Sequence, residues 1–321
     1  MLILTRSDTE GLLELEECVE AVEQAFRAHG EGRALTASRR HVPANDGGFH
    51  VTAGGLPEFL SVKVNGHFPP LEPGGRRRMS GAIVLSDATD GRPLALLDSM
   101  LVTVMRTAAL TTVAARHLAP PDAETALLVG AGRQARGQIR ALLLALPLRR
   151  LAVHDRHPER AAEVAEFARG LGLDATPAAG LSEAARAADV IVTATPATTP
   201  VLSAGDVPDR GLIVAIGADG PGKQELDSRI LVHARLIVDV TPQAAVAGEL
   251  ARAIEQGLLT EAAVAAELGE VVAGVKPGRT RDDELVVFDS TGTGLQDAAA
   301  AALVVRRARA AGRGYEVDLS T

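Results

Sequence analysis

Two hydrophobic rhythms divide the chain. After a short apolar strand over Leu2–Thr5, the positions Cys18, Val22, Ala25 and Phe26 recur at helical spacing in an acidic stretch, which predicts an amphipathic helix. From about Ala34 to Leu97 the pattern turns strand-like and is broken by Gly and Pro clusters. Phe49–Val51, Phe59–Val64, Ala82–Leu85 and Pro93–Leu97 are the predicted strands, and Asp90-Gly91 predicts a hairpin turn between the last two. An alanine-rich helix follows from about Ser99 to His117, and Pro120-Pro121 marks the clearest domain boundary.

Beyond the prolines, apolar strands alternate with helices. Thr125–Val129 reads as a buried strand, Gln134–Leu146 as a helix, Leu151–His154 as a strand and Pro158–Gly170 as a helix. Val190–Ala194, Leu212–Ile216, Leu236–Val238 and Leu285–Phe288 are further apolar runs, and a long alanine-rich helix then extends to about Ala311. Continuous apolar strands separated by helices indicate a parallel sheet covered on both faces, an α/β fold. The final helix, coming after this region, is placed to pack back on the first domain.

Composition narrows the function. The 321 residues, 46% hydrophobic and 23% charged, suit two domains. Only 6 Phe and 1 Tyr are aromatic and the net charge is -8, which argues against nucleic-acid binding. The single cysteine, Cys18, makes neither an internal disulfide nor a thiolate metal site, and His29, His117, His157 and His233 stand singly with no ligand spacing. No apolar run approaches the roughly 18 residues of a membrane helix, and the N-terminus lacks a signal-peptide core, so a cytoplasmic protein is expected. Positive charge is nearly all arginine; the lysines are Lys63, Lys223 and Lys276, and beside drift such a bias is expected to keep a lysine where a compact, adjustable ammonium matters.

Gly130-Ala131-Gly132-Arg133-Gln134-Ala135 fits G-x-G-x-x-A between an apolar strand and a helix. Such glycines allow a tight turn and let a pyrophosphate reach a helix N-terminus, as in a Rossmann-type doubly wound domain. Asp155, at the end of the next strand, would accept hydrogen bonds from ribose hydroxyls and favours NAD; Arg156 beside it keeps NADP open. Gly217 to Lys223, after another parallel strand, places Asp219 between glycines at the edge where such sheets bind ligands. Lys63 in an apolar strand and Arg106 in an apolar helix are costly to bury without a partner and suit a carboxylate, to which Arg39 or Arg40 would add.

Taken in order, Lys63-Val64-Asn65-Gly66-His67, Arg106-Thr107-Ala108-Ala109, the glycine turn, the Gly217–Lys223 loop with Gln224-Glu225-Leu226-Asp227, and Phe288-Asp289-Ser290-Thr291-Gly292 resemble the ornithine cyclodeaminase/mu-crystallin family over essentially the whole chain. The resemblance implies an α+β substrate-binding and dimerisation domain from residues 1–119 with 298–321, and a Rossmann NAD(P)-binding domain from 120–297, in a homodimer. It implies hydride transfer between nicotinamide and the α-carbon of a small amino or imino acid. Lys63, Arg106 and Arg40 would grip the substrate carboxylate, with Thr291 near the substrate and Asp219 as acid/base group. Thr107, Gly130, Gly132, Arg133, Gln134, Asp155, Thr195, Gly217, Lys223 and Ser290 would border the dinucleotide, and no metal is implied.

Two departures tilt the expectation toward an amino acid dehydrogenase or imine reductase and away from ornithine or lysine cyclodeamination. The cyclodeaminases carry a glutamate where an ungapped count puts His50, and the family usually has a threonine near the nicotinamide where this chain has Arg78, in the run Arg76-Arg77-Arg78. A missing carboxylate leaves a distal ammonium without a counter-charge, while an added arginine would welcome an anion. A non-catalytic dinucleotide binder is the remote alternative, since such a protein has no use for an acid beside paired cations.

Overall fold

Alternating strand patterning in the first third and continuous apolar strands in the middle give two different sheets. The structure, a computed structural model, describes residues 1–71 and 78–319, so Arg76 and Arg77 lie outside the described residues. The chain divides into two compact units, Met1–Leu110 with Thr293–Thr321, and Thr111–Gly292. The divisions fall within the helix Ser99–Leu118 and just before the helix Gly294–Ala310, not at the proline pair and at residue 298. Helix Ser99–Leu118 runs unbroken through the first division, since the prolines lie beyond its last turn.

In the first unit, the sheet among the described residues has the spatial order Tyr315–Glu316, Leu2–Leu4, Pro93–Asp98, Arg78–Asp87, Phe59–Phe68, Gly47–Gly55, Leu35–Ala44. All pairings are antiparallel except Leu2–Leu4 with Pro93–Asp98. Asp90-Gly91 makes the turn between the Arg78–Asp87 and Pro93–Asp98 strands, with Gly91 at φ 79° and Arg92 donating its N–H to Asp90 Oδ1. Leu35–Ala44 was not predicted as a strand. Its run of Ser, Arg, His and Pro hides the alternation, and pairing with Gly47–Gly55 supplies what its own sequence lacks.

The helices Leu15–Gly30 and Gly294–Ala310 pack on each other, and the second lies against the strands Gly47–Gly55 and Phe59–Phe68. Close approach depends on glycine: a Cβ on Gly294 would lie 2.4 Å from the Ala53 carbonyl carbon and the Gly54 nitrogen. Ser61 Oγ ties the same place by donating to the Gly294 carbonyl at 3.0 Å.

In the strands Gly47–Gly55 and Phe59–Phe68 the usual alternation is inverted, while the neighbouring Arg78–Asp87 turns Ile83 and Leu85 to the covered face. The face carrying Ser61, Lys63 and Asn65, with Thr52 and His50 beside them, is buried although polar. The opposite face carries Val42, Phe49, Val64 and Val84, each 37–43% exposed although apolar.

The second unit is a parallel sheet in the order Val264–Glu267, Arg235–Val238, Leu285–Asp289, Gly211–Ala215, Val190–Thr193, Thr125–Val129, Arg150–His154, Asp174–Pro177. The direction of strand order reverses between Thr125–Val129 and Val190–Thr193, the place where doubly wound sheets open a crevice at their carboxyl edge. Its central strands are buried along their whole length, which explains their unbroken apolar sequence. Cys18, by contrast, belongs to the first unit and is buried, and burial pushes its thiol up to about 12, leaving it inert.

Gly294→Ala should lower stability by about 1–3 kcal/mol, because backbone stands where the methyl would go. Thermal denaturation of the purified protein measures it; an unchanged midpoint would mean that the helix does not dock as closely as described.

Candidate active site

The polar buried face of the first unit centres on one carboxylate. Asp297, on the first turn of the helix Gly294–Ala310, is fully buried. Its Oδ1 accepts from Lys63 Nζ at 2.9 Å and from Arg106 Nε at 3.1 Å, and Lys63 Nζ also lies 2.6 Å from Oδ2. Arg106 Nη1 donates to Gln296 Oε1 at 2.7 Å. Lys63 and Arg106 are 4% and 7% exposed, so both cations are held almost out of water. Burial lowers the Lys63 ammonium to about 8; Asp297 pulls it up, and Arg106 and Arg39 push it down. The same cations hold the Asp297 carboxyl below its ordinary value against its burial. Two cations share one carboxylate, so the cluster carries an excess positive charge that suits an incoming anion.

Register decides between the two candidate arginines. Arg39 pairs with Thr52, which pairs with Lys63, so Arg39 shares the buried polar face and donates to His50 Nδ1 at 2.5 Å. Arg40 pairs with Val51 and Val64, so its side chain is on the opposite, apolar face and is exposed. The structure therefore brings Arg39 to the face that carries Lys63 and takes the expected Arg40 away from it. Arg78 also belongs to the opposite face. It pairs with Phe68, its guanidinium lies 5.9 Å from that ring centroid, and it donates to the Pro69 carbonyl. Thr107 is buried and spends its hydroxyl on the Thr103 carbonyl.

In the second unit the glycine turn follows the strand Thr125–Val129 directly. Gly130 has φ 106°, and a Cβ there would lie 2.7 Å from the Ala194 carbonyl oxygen, so only glycine fits where the sheet order reverses. A Cβ on Gly132 would meet nothing within 4 Å, which leaves the space above this residue open to a ligand. Arg133 is exposed, and Gln134 precedes the helix Ala135–Ala145 with its Oε1 buried and without a hydrogen bond. Asp155 accepts from Ala131 N–H at 2.8 Å and from His157 N–H at 2.9 Å. A carboxylate has about four acceptor positions, so lone pairs remain for ribose hydroxyls. These residues fit a dinucleotide: an open glycine turn, a helix start and an acid at the next strand end.

Lys223 Nζ donates to Asp219 Oδ1, so two residues assigned separately from sequence form one ion pair. Their side chains are 22% and 28% exposed, accessible but not loose. Of the other lysines, Lys63 is buried at the carboxylate and Lys276 makes a surface pair with Glu270.

Buried acids missed by sequence reasoning shape this edge of the sheet. Glu225 accepts from Thr195 N–H, Thr193 Oγ1 and Gly217 N–H, which ties the ends of two neighbouring strands together. Glu249 accepts from the N–H groups of Glu225 and Leu226, and Asp289 from that of Leu250. Asp239 accepts from the N–H groups of Thr291 and Gly292 and from the Thr291 hydroxyl, and Ser290 Oγ lies 3.3 Å from it. Ser290 and Thr291 are thus buried, with their hydroxyls turned to Asp239. Burial raises all four carboxyls, Asp289 to about 7. The signal that could have found Asp239 and Asp289 is an acid at the end of an apolar strand; Glu225 and Glu249 carry no such signal.

The sequence pattern of the ornithine cyclodeaminase/mu-crystallin family matches residues 1–312. The chain belongs to this family. Among the relatives of the family, an alanine dehydrogenase of Archaeoglobus fulgidus is 35% identical over 319 residues, covering 98% of each chain. An archaeal alanine dehydrogenase dimer with bound NAD superposes with a TM-score of 0.95 at 34% identity, covering 99% of each chain. The Δ1-pyrroline-2-carboxylate reductase of Thermococcus litoralis, in complex with NADH and L-proline, gives 0.93 at 32% identity, over 99% of this chain and 100% of that one. No helix among the described residues is long and apolar enough to cross a membrane, and no group of three or more His, Cys, Asp or Glu there is disposed to hold a metal ion.

Asp297→Asn should destabilise the protein by about 3–5 kcal/mol, since it strands two buried cations. Lys63 is charged below about 8 and neutral above it, and loss of Asp297 removes the group that raises this value. Carboxylate binding should therefore weaken as pH rises through about 8 in the native protein, and at lower pH in the variant. Ligand titrations between mild acid and alkali check it; a flat profile would remove Lys63 from the seat.

Proposed function

We propose that this protein is an NAD-dependent oxidoreductase that transfers hydride between nicotinamide and the α-carbon of a small amino or imino acid, as an amino acid dehydrogenase or imine reductase. The observation that carries the reading is the pair of buried cations, Lys63 and Arg106, around a single carboxylate. It is supported by the relatives named above, which are an alanine dehydrogenase and an imine reductase crystallised with NAD or NADH.

Arg106 and Lys63, with Arg39, take the substrate carboxylate; Asp297 and Gln296 fix their direction. Gly130, Gly132 and Gln134 receive the pyrophosphate at the helix start, Asp155 the ribose, and Arg133, Thr195 and Gly217 border the dinucleotide. The dinucleotide, when bound, supplies or accepts the hydride at C4 of its nicotinamide. Asp219 gives or takes the proton at the substrate nitrogen, and Lys223 holds its carboxylate in place. Ser290 and Thr291 act by holding the loop through Asp239. NAD is favoured over NADP because Asp155 repels a 2′-phosphate.

The protein works in the cytoplasm as a homodimer, and the exposed apolar face of Val42, Phe49, Val64 and Val84 is the surface a second copy covers. A sheet face apolar enough for a core, left in water, costs solubility unless it is paired.

Four measurements test this. NADH oxidation with cyclic imines, or with 2-oxo acids plus ammonium, should be stoichiometric; ammonia release from ornithine or lysine without net NADH would establish cyclodeamination instead. Arg106→Ala should lower kcat/KM by about 100-fold or more, a charged hydrogen-bonded anchor being lost, while Gly132→Ala should weaken NADH binding with little change in stability. Full turnover in Arg106→Ala would end the carboxylate-seat assignment. Val64→Asp should yield monomer in sedimentation, and an unchanged dimer would place the interface elsewhere.

A further inference from the structure

The loop that carries Asp219 follows the strand Gly211–Ala215 and is fastened to a buried acid at each end. Gly217 N–H donates to Glu225 Oε2 at 2.7 Å, and a Cβ there would lie 2.5 Å from Glu225 Oε1. At the other end the N–H groups of Glu225 and Leu226 donate to the two oxygens of Glu249 at 2.7 and 3.1 Å. Between these anchors Gly220-Pro221-Gly222-Lys223 has the chemistry of a type II turn. Proline presets the second position, Gly222 supplies a φ of 78° at the third, and Lys223 N–H donates to the Gly220 carbonyl at 3.2 Å. The turn stands Lys223 beside Asp219, and the two side chains form their ion pair across it. Pro221 and Gly222 are exposed.

The turn is also held from outside. Arg252 Nη2, on the helix Glu249–Glu255, donates to the Gly222 carbonyl at 3.0 Å. Glu249 and Arg252 are three residues apart and so share a face of that helix. One face thus offers a carboxylate to the amides after the loop and a guanidinium to the carbonyl at its turn. The helix is itself fixed, because Leu250 N–H donates to Asp289 Oδ2 at 2.9 Å. Arg252 is not a loose surface side chain. It is 24% exposed, its Nη1 pairs with Glu255, and its Nε is buried without a hydrogen bond among the described residues. An arginine in water satisfies every donor, so this direction is imposed by packing.

We propose that Arg252 is a positioning residue for the Asp219 carboxylate: by fixing the turn it holds the Lys223–Asp219 pair in one geometry toward the substrate nitrogen. This rests on the reading of Asp219 as the group that exchanges the proton. Arg252 acts through the loop and through Lys223, and it takes no proton itself. Proton transfer depends on placement, and misplacement by about 1 Å costs about 100-fold in rate. A loop with exposed residues at its turn needs such an outside support to reach that precision.

Arg252→Met keeps the apolar stem and removes the donors. In the purified full-length protein, hydrogen exchange across residues 217–226 should quicken by about tenfold, one hydrogen bond from a charged donor being lost. With NADH and pyruvate plus ammonium, or NADH and a cyclic imino acid, kcat should fall by about 10- to 100-fold, while KM and NADH affinity stay within about threefold. Arg252→Lys should restore most of the rate, since a single carbonyl needs one donor and not a planar fork. Unchanged exchange, or kcat within about twofold of the native protein while Asp219→Asn abolishes turnover, overturns the role of Arg252 and leaves that of Asp219. A loss that lysine does not restore, or one matched by an equal loss of NADH affinity, is general damage and overturns it too. Full turnover in Asp219→Asn, or no NADH oxidation with any 2-oxo acid or cyclic imine, overturns the parent reading and this one with it.

Discussion

The buried carboxylate of Asp297 is the constraint on which the first unit depends. Desolvating a lysine and an arginine together is unfavourable unless an anion compensates them, and removing that anion costs several kcal/mol. Asp297 satisfies both cations from the first turn of a helix that can come close only because Gly294 and Gly54 present no side chains. One carboxylate against two full positive charges leaves the cluster still electropositive.

The inverted alternation of the strands Gly47–Gly55 and Phe59–Phe68 follows from the same requirement. Lys63, Asn65, Thr52 and His50 take the covered face, so the apolar residues of those strands are turned outward. In an ordinary two-layer arrangement the apolar face is covered by helices and the polar face by water. Here the covered face holds the buried charges, and an apolar face is left exposed.

The second unit solves a different problem with similar means. The carboxyl edge of a parallel sheet is a row of loops whose backbone N–H groups need acceptors. Glu225, Glu249, Asp289 and Asp239 supply them from inside the protein. The family's Ser290-Thr291-Gly292 run thereby becomes a loop clamped to Asp239, and Thr195 and Gly217 are drawn together by Glu225. Acids kept in such surroundings hold protons more tightly than acids in water, which Asp289, raised to about 7, shows most plainly.

What the sequence by itself determined was local and periodic: the apolar strands of the parallel sheet, the glycine turn after Val129, the Asp90-Gly91 hairpin, and the family to which the chain belongs. Each is written in consecutive residues, where period, turn chemistry and motif spacing are sufficient. Leu35–Ala44 was not legible, because its strand character comes from its neighbour, and that register alone separates Arg39 from Arg40. Side chains alternate along a strand, so a shift of one residue exchanges the two faces. Asp297 was equally hidden, as it meets Lys63 across 234 positions of chain. The tertiary structure decided which charges face one another, because contacts so distant in sequence depend on packing and leave no periodic trace.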